Sequence, residues 1–143
     1  MKTTKKVLAV IFAIILCIGI TACKEKQTTE ASLWDNAVYT EDTELGSGKT
    51  TLTVAVKAEE KTVNFTIKTD KKTVGEALME HKLVEGEDGA YGLYIKSVNG
   101  IVADFDVDKS YWAFYADGEY ATSGVDTTEI DAGVKYSLEY TKD

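Results

Sequence analysis

The sequence predicts a small α+β domain in which one helix crosses a mainly antiparallel sheet. Three observations carry that expectation. From Thr51, apolar residues recur at every second position through two runs joined by a short charged turn. From Thr73 the spacing becomes helical, behind a capping signal. Further alternating or aromatic runs follow, parted by Asn-Gly, Asp-Gly and Ala-Gly turns, and no proline occurs anywhere. The predicted order is β-β-α-β-β-β-β.

The leader is read first. Lys2, Lys5 and Lys6 precede an uninterrupted apolar run, Val7–Ile20. A helical membrane span needs roughly 20 such residues, so this run is short for crossing a bilayer. A cationic start, a short apolar core and small residues at its end describe a secretory leader. Ile20-Thr21-Ala22-Cys23 resembles the lipobox read by prolipoprotein diacylglyceryl transferase and signal peptidase II. The resemblance implies cleavage before Cys23, acylation of its thiol, and a lipid-anchored protein facing outside the cytoplasm. Membrane lipid is then its first partner, and two or more acyl chains make such anchoring stable. The alternatives are an ordinary secretory leader with a chance cysteine, or an uncleaved anchor. Cys17 would depart with the leader, which leaves no second thiol for a disulfide, a nucleophile or a thiolate metal site.

Lys24–Ser32 is polar, without apolar periodicity, and reads as a tether. Leu33, Trp34, Ala37, Val38 and Tyr39 interrupt it, so a short strand or turn is expected near residue 33. Glu41–Gly48 is acidic and glycine-containing, and is read as a loop. Leu52, Val54 and Val56, then Val63, Phe65 and Ile67, alternate with polar neighbours around Glu59-Glu60-Lys61, which predicts a hairpin with one face buried. Thr73 as N-cap places Glu76 at the third helical position, the capping-box spacing, with Val74, Ala77, Leu78 and His81 along one stripe. Gly86–Gly89 is read as the turn closing that unit.

Tyr91–Val98, the turn Asn99-Gly100 and Ile101–Phe105 predict a second hairpin, since Asn-Gly suits a type I′ turn. Tyr111–Ala116 is a β run, followed by the turn Asp117-Gly118 and the short stretch Glu119–Ala121. Tyr136, Leu138 and Tyr140 alternate in a last strand after Asp131-Ala132-Gly133. The chain divides into a leader (1–22), a lipidated cysteine with tether and leading strand (23–49), and one domain (50–143).

Charge excludes one class of partner. The chain carries a formal charge of −8 and no arginine, and losing the three leader lysines leaves 13 lysines against 24 acids, or −11. Such a surface repels phosphate backbones and lacks the side chain best suited to grip them. Nucleic acid is excluded.

Tyr91-Gly92-Leu93-Tyr94-Ile95-Lys96-Ser97-Val98-Asn99-Gly100-Ile101, then Tyr111-Trp112-Ala113-Phe114-Tyr115, Gly118 and Ser123-Gly124-Val125-Asp126 resemble the C-terminal β-domain of transcobalamin and intrinsic factor. The likeness is closer to bacterial lipoproteins that carry this domain alone, and Thr73-Val74-Gly75-Glu76-Ala77-Leu78 fits that branch. It covers roughly residues 50–143. It implies a β-grasp-like fold and a corrinoid, cobalamin-like, or similar flat ligand. In the vertebrate carriers a helical domain holds the ligand's other face, and this chain has none. Half a clamp buries roughly 200–300 Å² of apolar ligand surface, worth about 5–8 kcal/mol. Association costs about 4–15 kcal/mol, so weak binding or a partner protein supplying a second wall is expected.

The candidate ligand-binding residues are Tyr91, Tyr94, Tyr111, Trp112 and Tyr115, where aromatic side chains concentrate. On a strand Trp112 and Phe114 face opposite to Tyr111 and Tyr115, so only one set can serve a ligand; Trp112 and Phe114 are expected in the core, which leaves Tyr111 and Tyr115 as the better surface candidates. Tyr94 enters through the resemblance. Asp104, Asp106 and Asp108 suggest a calcium loop, but Lys109 and Tyr115 stand where glycine and glutamate belong. The plainer reading is carboxylates on the solvent side of a strand leading into a loop. His81, the single histidine, could serve as an axial ligand or a base, or sit at the helix C-terminus where partial positive charge is favourable. No nucleophile elbow or phosphate-binding glycine loop occurs, so neither catalytic nor metal residues are assigned. The expected function is non-catalytic capture of a flat ligand; the rival is an interaction module for an envelope protein or a glycan.

Overall fold

The computed structural model describes residues 31–143. The expectations for the leader, Cys23 and residues 24–30 fall outside them. Ser32–Asp143 form one compact unit. It opens with a single 3-10 turn, Leu33–Asn36, capped reciprocally by Ser32 and Asp35. Trp34 is buried there, and its indole N–H donates to the Ala58 carbonyl at 3.0 Å.

Nine strands follow: β1 (Thr43–Gly46), β2 (Thr50–Ala58), β3 (Lys61–Thr69), β4 (Val84–Gly89), β5 (Gly92–Val98), β6 (Ile101–Val102), β7 (Ser110–Ala116), β8 (Glu119–Tyr120) and β9 (Lys135–Lys142). Helix α1 (Val74–Glu80) lies between β3 and β4, and a helical turn α2 (Phe105–Asp108) lies between β6 and β7. Six strands make one sheet in the order β1-β3-β2-β9-β7-β8; three make a second, β4-β5-β6. The β2–β3 hairpin is antiparallel, and β9 returns parallel to β2. This arrangement, with α1 across the sheet, is β-grasp-like.

Period-two burial builds the core. Leu52 pairs with Ile67, Val54 with Phe65 and Val56 with Val63, all directed to the covered face. Tyr136 and Leu138 extend that face along β9, with Phe114 beside Leu138. Val74, Ala77 and Leu78 of α1 close over it. Each fully buried aliphatic or aromatic side chain contributes roughly 1.5–3 kcal/mol. Thr73 and Glu76 make the capping box, so the helix begins where its sequence signal stands.

Three expectations are corrected. The segment expected to be a loop, 41–48, contains β1, which pairs in parallel with Phe65–Lys68. Asp42 holds it in place by accepting from the backbone and side-chain N–H groups of Asn64, and those bonds lower its pKa, the backbone bond foremost. Gly86–Gly89 belongs to β4 instead of forming a turn. A Cβ on Gly86 would stand 2.1 Å from the Tyr94 carbonyl oxygen, so glycine there permits close strand approach. Finally, the strand expected to reach Phe105 stops at Val102. Asp104 caps α2 by accepting from the Asp106 N–H at 3.1 Å, and the left-handed Lys109 ends it.

Candidate functional site

A cleft of about 600 Å³ lies beside β7. One wall is the β4–β5 hairpin, through Tyr91, Leu93, Tyr94 and Ile95. The other runs from Tyr120, the end of β8, to Thr127. Trp112 and Phe114 make the buried floor, 7 % and 8 % exposed, and Tyr111 stands at one end.

Each part has a local cause. The hairpin turns through Ala90-Tyr91, with Gly89 opposite Gly92, which leaves the Tyr91 ring fully exposed and Tyr94 exposed on the rim. The floor is rigid because the Trp112 indole donates to the Ile101 carbonyl at 3.1 Å and packs edge-on against Tyr140. Phe114 stacks on Tyr136 with ring centres 5.8 Å apart. The far wall is tied to the start of α1, since Gly75 donates to the Val125 carbonyl and Val74 to that of Thr128. Within it, the Thr128 hydroxyl donates to the Gly124 carbonyl at 2.7 Å.

Of the five residues nominated from the sequence, Tyr91, Tyr94, Tyr111 and Trp112 meet at this cleft. Tyr115 does not; it packs edge-on against Tyr120, its cross-strand partner, at 5.5 Å. Where one side-chain set of β7 was expected at a ligand, residues of both sets border the cleft. Trp112 and Phe114 do point into the core while Tyr111 points away. The cleft, however, runs along the outer edge of β7, where side chains of both faces border it. Sequence reasoning missed Tyr120 and the whole 121–127 wall. Tyr120 had a usable signal, an aromatic residue after the Asp117-Gly118 turn. The wall is irregular, with no periodicity to announce it.

The chemistry of the lining is apolar and hydroxylic. Thr122, Ser123, Thr127 and the tyrosines supply hydroxyls, and among the described residues no charged side chain borders the cleft. Behind the wall, Asp126 lies against Gly92 and Gly124, with Oδ1 buried and without a hydrogen-bond partner among the described residues. Such a surface can stack and hydrogen-bond a neutral flat molecule. It offers no nucleophile–base pair.

The other nominated groups lie elsewhere. His81 is the C-cap of α1, in a separate hollow with Gly46, Lys68, Glu80 and Lys71, its Nε2 buried without a partner among the described residues. Asp104 and Asp108 serve the α2 turn instead of lining a strand. The Ser110 hydroxyl donates to Asp108, which also pairs with Lys142 at 3.3 Å; these contacts lower the Asp108 pKa, the Ser110 hydroxyl foremost. Among the described residues no three His, Cys, Asp or Glu side chains gather as a metal site, and no helix is long and apolar enough to cross a membrane.

Fold and cleft together define a small β-grasp-like domain with an open aromatic cleft at one sheet edge. Residues 71–142 match the family described as a domain of unknown function, DUF4430, and the chain belongs to that family. A solved protein of Ruminococcus gnavus, described as a candidate metal-binding protein, is 31 % identical with a TM-score of 0.62. The match covers 66 % of this chain and 99 % of that one. Haptocorrin, solved in complex with Cbi, is similar with a TM-score of 0.50 at 19 % identity, over 65 % of this chain and 25 % of its own. That second likeness is one of fold. Both neighbours are described as binding proteins. No curated protein matches the chain.

Proposed function

We propose that this protein is a non-catalytic binding protein, held outside the cytoplasm by acyl chains on Cys23, whose cleft captures a flat small ligand. A corrinoid is the specific candidate, with a partner protein covering the ligand's open face. One observation carries the reading: exposed Tyr91 and Tyr94 stand over a rigid aromatic floor in a cleft that no charged side chain borders among the described residues. Pockets of this size with few polar groups suit small-molecule ligands. The haptocorrin likeness supports the corrinoid. The metal binding described for the Ruminococcus gnavus protein finds no fitting donor set among the described residues, so no metal is assigned to the cleft.

The test is titration of the full chain in detergent with cobalamin and cobinamide, followed by visible absorbance and calorimetry. Tyr94→Ala and Tyr111→Ala should each weaken binding about three- to tenfold, the worth of one aromatic contact, while Tyr115→Ala leaves it unchanged. No response to any cobamide, together with co-purification of an envelope protein or glycan, would favour the interaction module instead. Mass spectrometry of protein from its native host tests the anchor; an unmodified Cys23 rejects it.

A further inference from the structure

We infer that the recognition element of the cleft is the open edge of β7, and that it selects flat ligands rimmed with uncharged amides over the same ligands rimmed with carboxylates. The inference rests on the binding role proposed above and names the chemistry of that ligand.

β7 pairs with β9 along its length but with β8 only at Tyr115 and Ala116. Two hydrogen bonds set the direction of its backbone groups. The Ala121 N–H donates to the Phe114 carbonyl on the β8 side, and the Asp143 N–H donates to the Lys109 carbonyl on the β9 side, each at 3.0 Å. In an antiparallel ladder the N–H and C=O of one residue point the same way, and successive residues alternate. Ser110, Trp112, Phe114 and Ala116 therefore present their backbone groups outward. The Ser110 N–H is taken by the Asp108 carboxylate at 3.2 Å, and the Phe114 carbonyl by Ala121. Trp112, between them, has no strand opposite it on that side among the described residues. Its N–H and C=O face the cleft.

A donor and an acceptor side by side match a primary amide, which brings one of each, as an added strand residue would. A carboxylate brings acceptors only. It can take the Trp112 N–H, but it sets negative oxygen against the Trp112 carbonyl. No described residue bordering the cleft compensates that charge, and Asp126 stands behind the wall. Two lysines lie nearby. Lys96, 5.9 Å from the Tyr94 ring centre, pairs with Glu87 at 3.6 Å. Lys109 lies 4.6 Å over Phe105, whose ring meets Tyr111. Neither borders the cleft.

The experiment compares dicyanocobinamide with the dicyano heptacarboxylate of the same corrin, each titrated against the full chain in detergent. The amide form should bind about tenfold or more tightly, the cost of one unpaired polar contact. The preference should persist at about 0.5 M salt, which screens the general negative charge but not a hydrogen bond. Thr122→Lys, on the exposed far wall, should narrow the gap by giving the acid a cation. Equal or tighter binding of the acid overturns the inference while leaving the cleft a corrinoid site. A preference that vanishes in salt overturns the edge as its cause. Binding of neither form removes both this inference and the function it rests on.

Discussion

Gly92 sits where the two walls of the cleft meet, and Gly92→Ala tests that junction. Its φ is +108°, a region that residues with side chains rarely enter. Holding alanine there costs about 1–3 kcal/mol. A Cβ would also stand 2.8 Å from Oδ2 and 2.9 Å from Oδ1 of Asp126, inside the contact distance of carbon and oxygen. Displacing a packed neighbour costs about 1–3 kcal/mol more. The variant should therefore lose about 2–6 kcal/mol, read as a lower urea midpoint at constant slope. Asp126→Ala alone should stay within about 0.5 kcal/mol of the parent, since losing a buried oxygen that has no partner forfeits no hydrogen bond. In the double variant the crowding is gone and the backbone strain remains, so the two changes should couple by about 1 kcal/mol or more. Strict additivity would refute the Gly92–Asp126 contact. A Gly92→Ala protein as stable as its parent would refute the strain as well.

Asn99→Ala should cost about 2–4 kcal/mol in the same assay, because the Asn99 side chain accepts from the Tyr39 N–H at 2.9 Å and donates to the Tyr39 carbonyl at 2.8 Å. A loss no larger than that of an exposed turn residue would show that this clamp is idle. Acid should also destabilise the domain. Glu76, Glu59 and Asp42 have lowered pKa values, caused first by backbone N–H donors at Thr73, Leu33 and Asn64. A carboxylate whose pKa is depressed by folding stabilises the native state above its unfolded pKa, and that contribution is lost as pH falls through the folded one. The urea midpoint should thus fall between roughly pH 5 and pH 2. Glu76→Gln, which keeps the cap geometry but does not titrate, should flatten that slope; an unchanged slope would count against the helix cap as a contributor.

The sequence by itself determined whatever depends on neighbours along the chain. The capping box at Thr73 and Glu76, the alternation of Leu52–Val56 with Val63–Ile67, and the turns at Asn99-Gly100 and Asp117-Gly118 are local events, governed by φ, ψ and side-chain period. At both turns the backbone takes the positive φ values that a type I′ turn requires. The β7 alternation was legible too, with Trp112 and Phe114 inward. What tertiary structure alone decided is pairing between distant segments. β1 offers only Leu45 as an apolar residue, and it is a strand because β3 presents an unpaired edge. β4 carries two glycines and three acids, and it is a strand because β5 lies within hydrogen-bonding reach. Asn99 reads as a turn residue, yet it also fastens Tyr39, 60 positions upstream. The cleft belongs to the same class. Its aromatic residues were visible, but its place along a strand edge follows from β8 stopping after two residues, and the loss of Tyr115 to Tyr120 from where β8 pairs. Hydrogen-bond ladders are satisfied between strands, and a single strand's residues do not say where its partner ends.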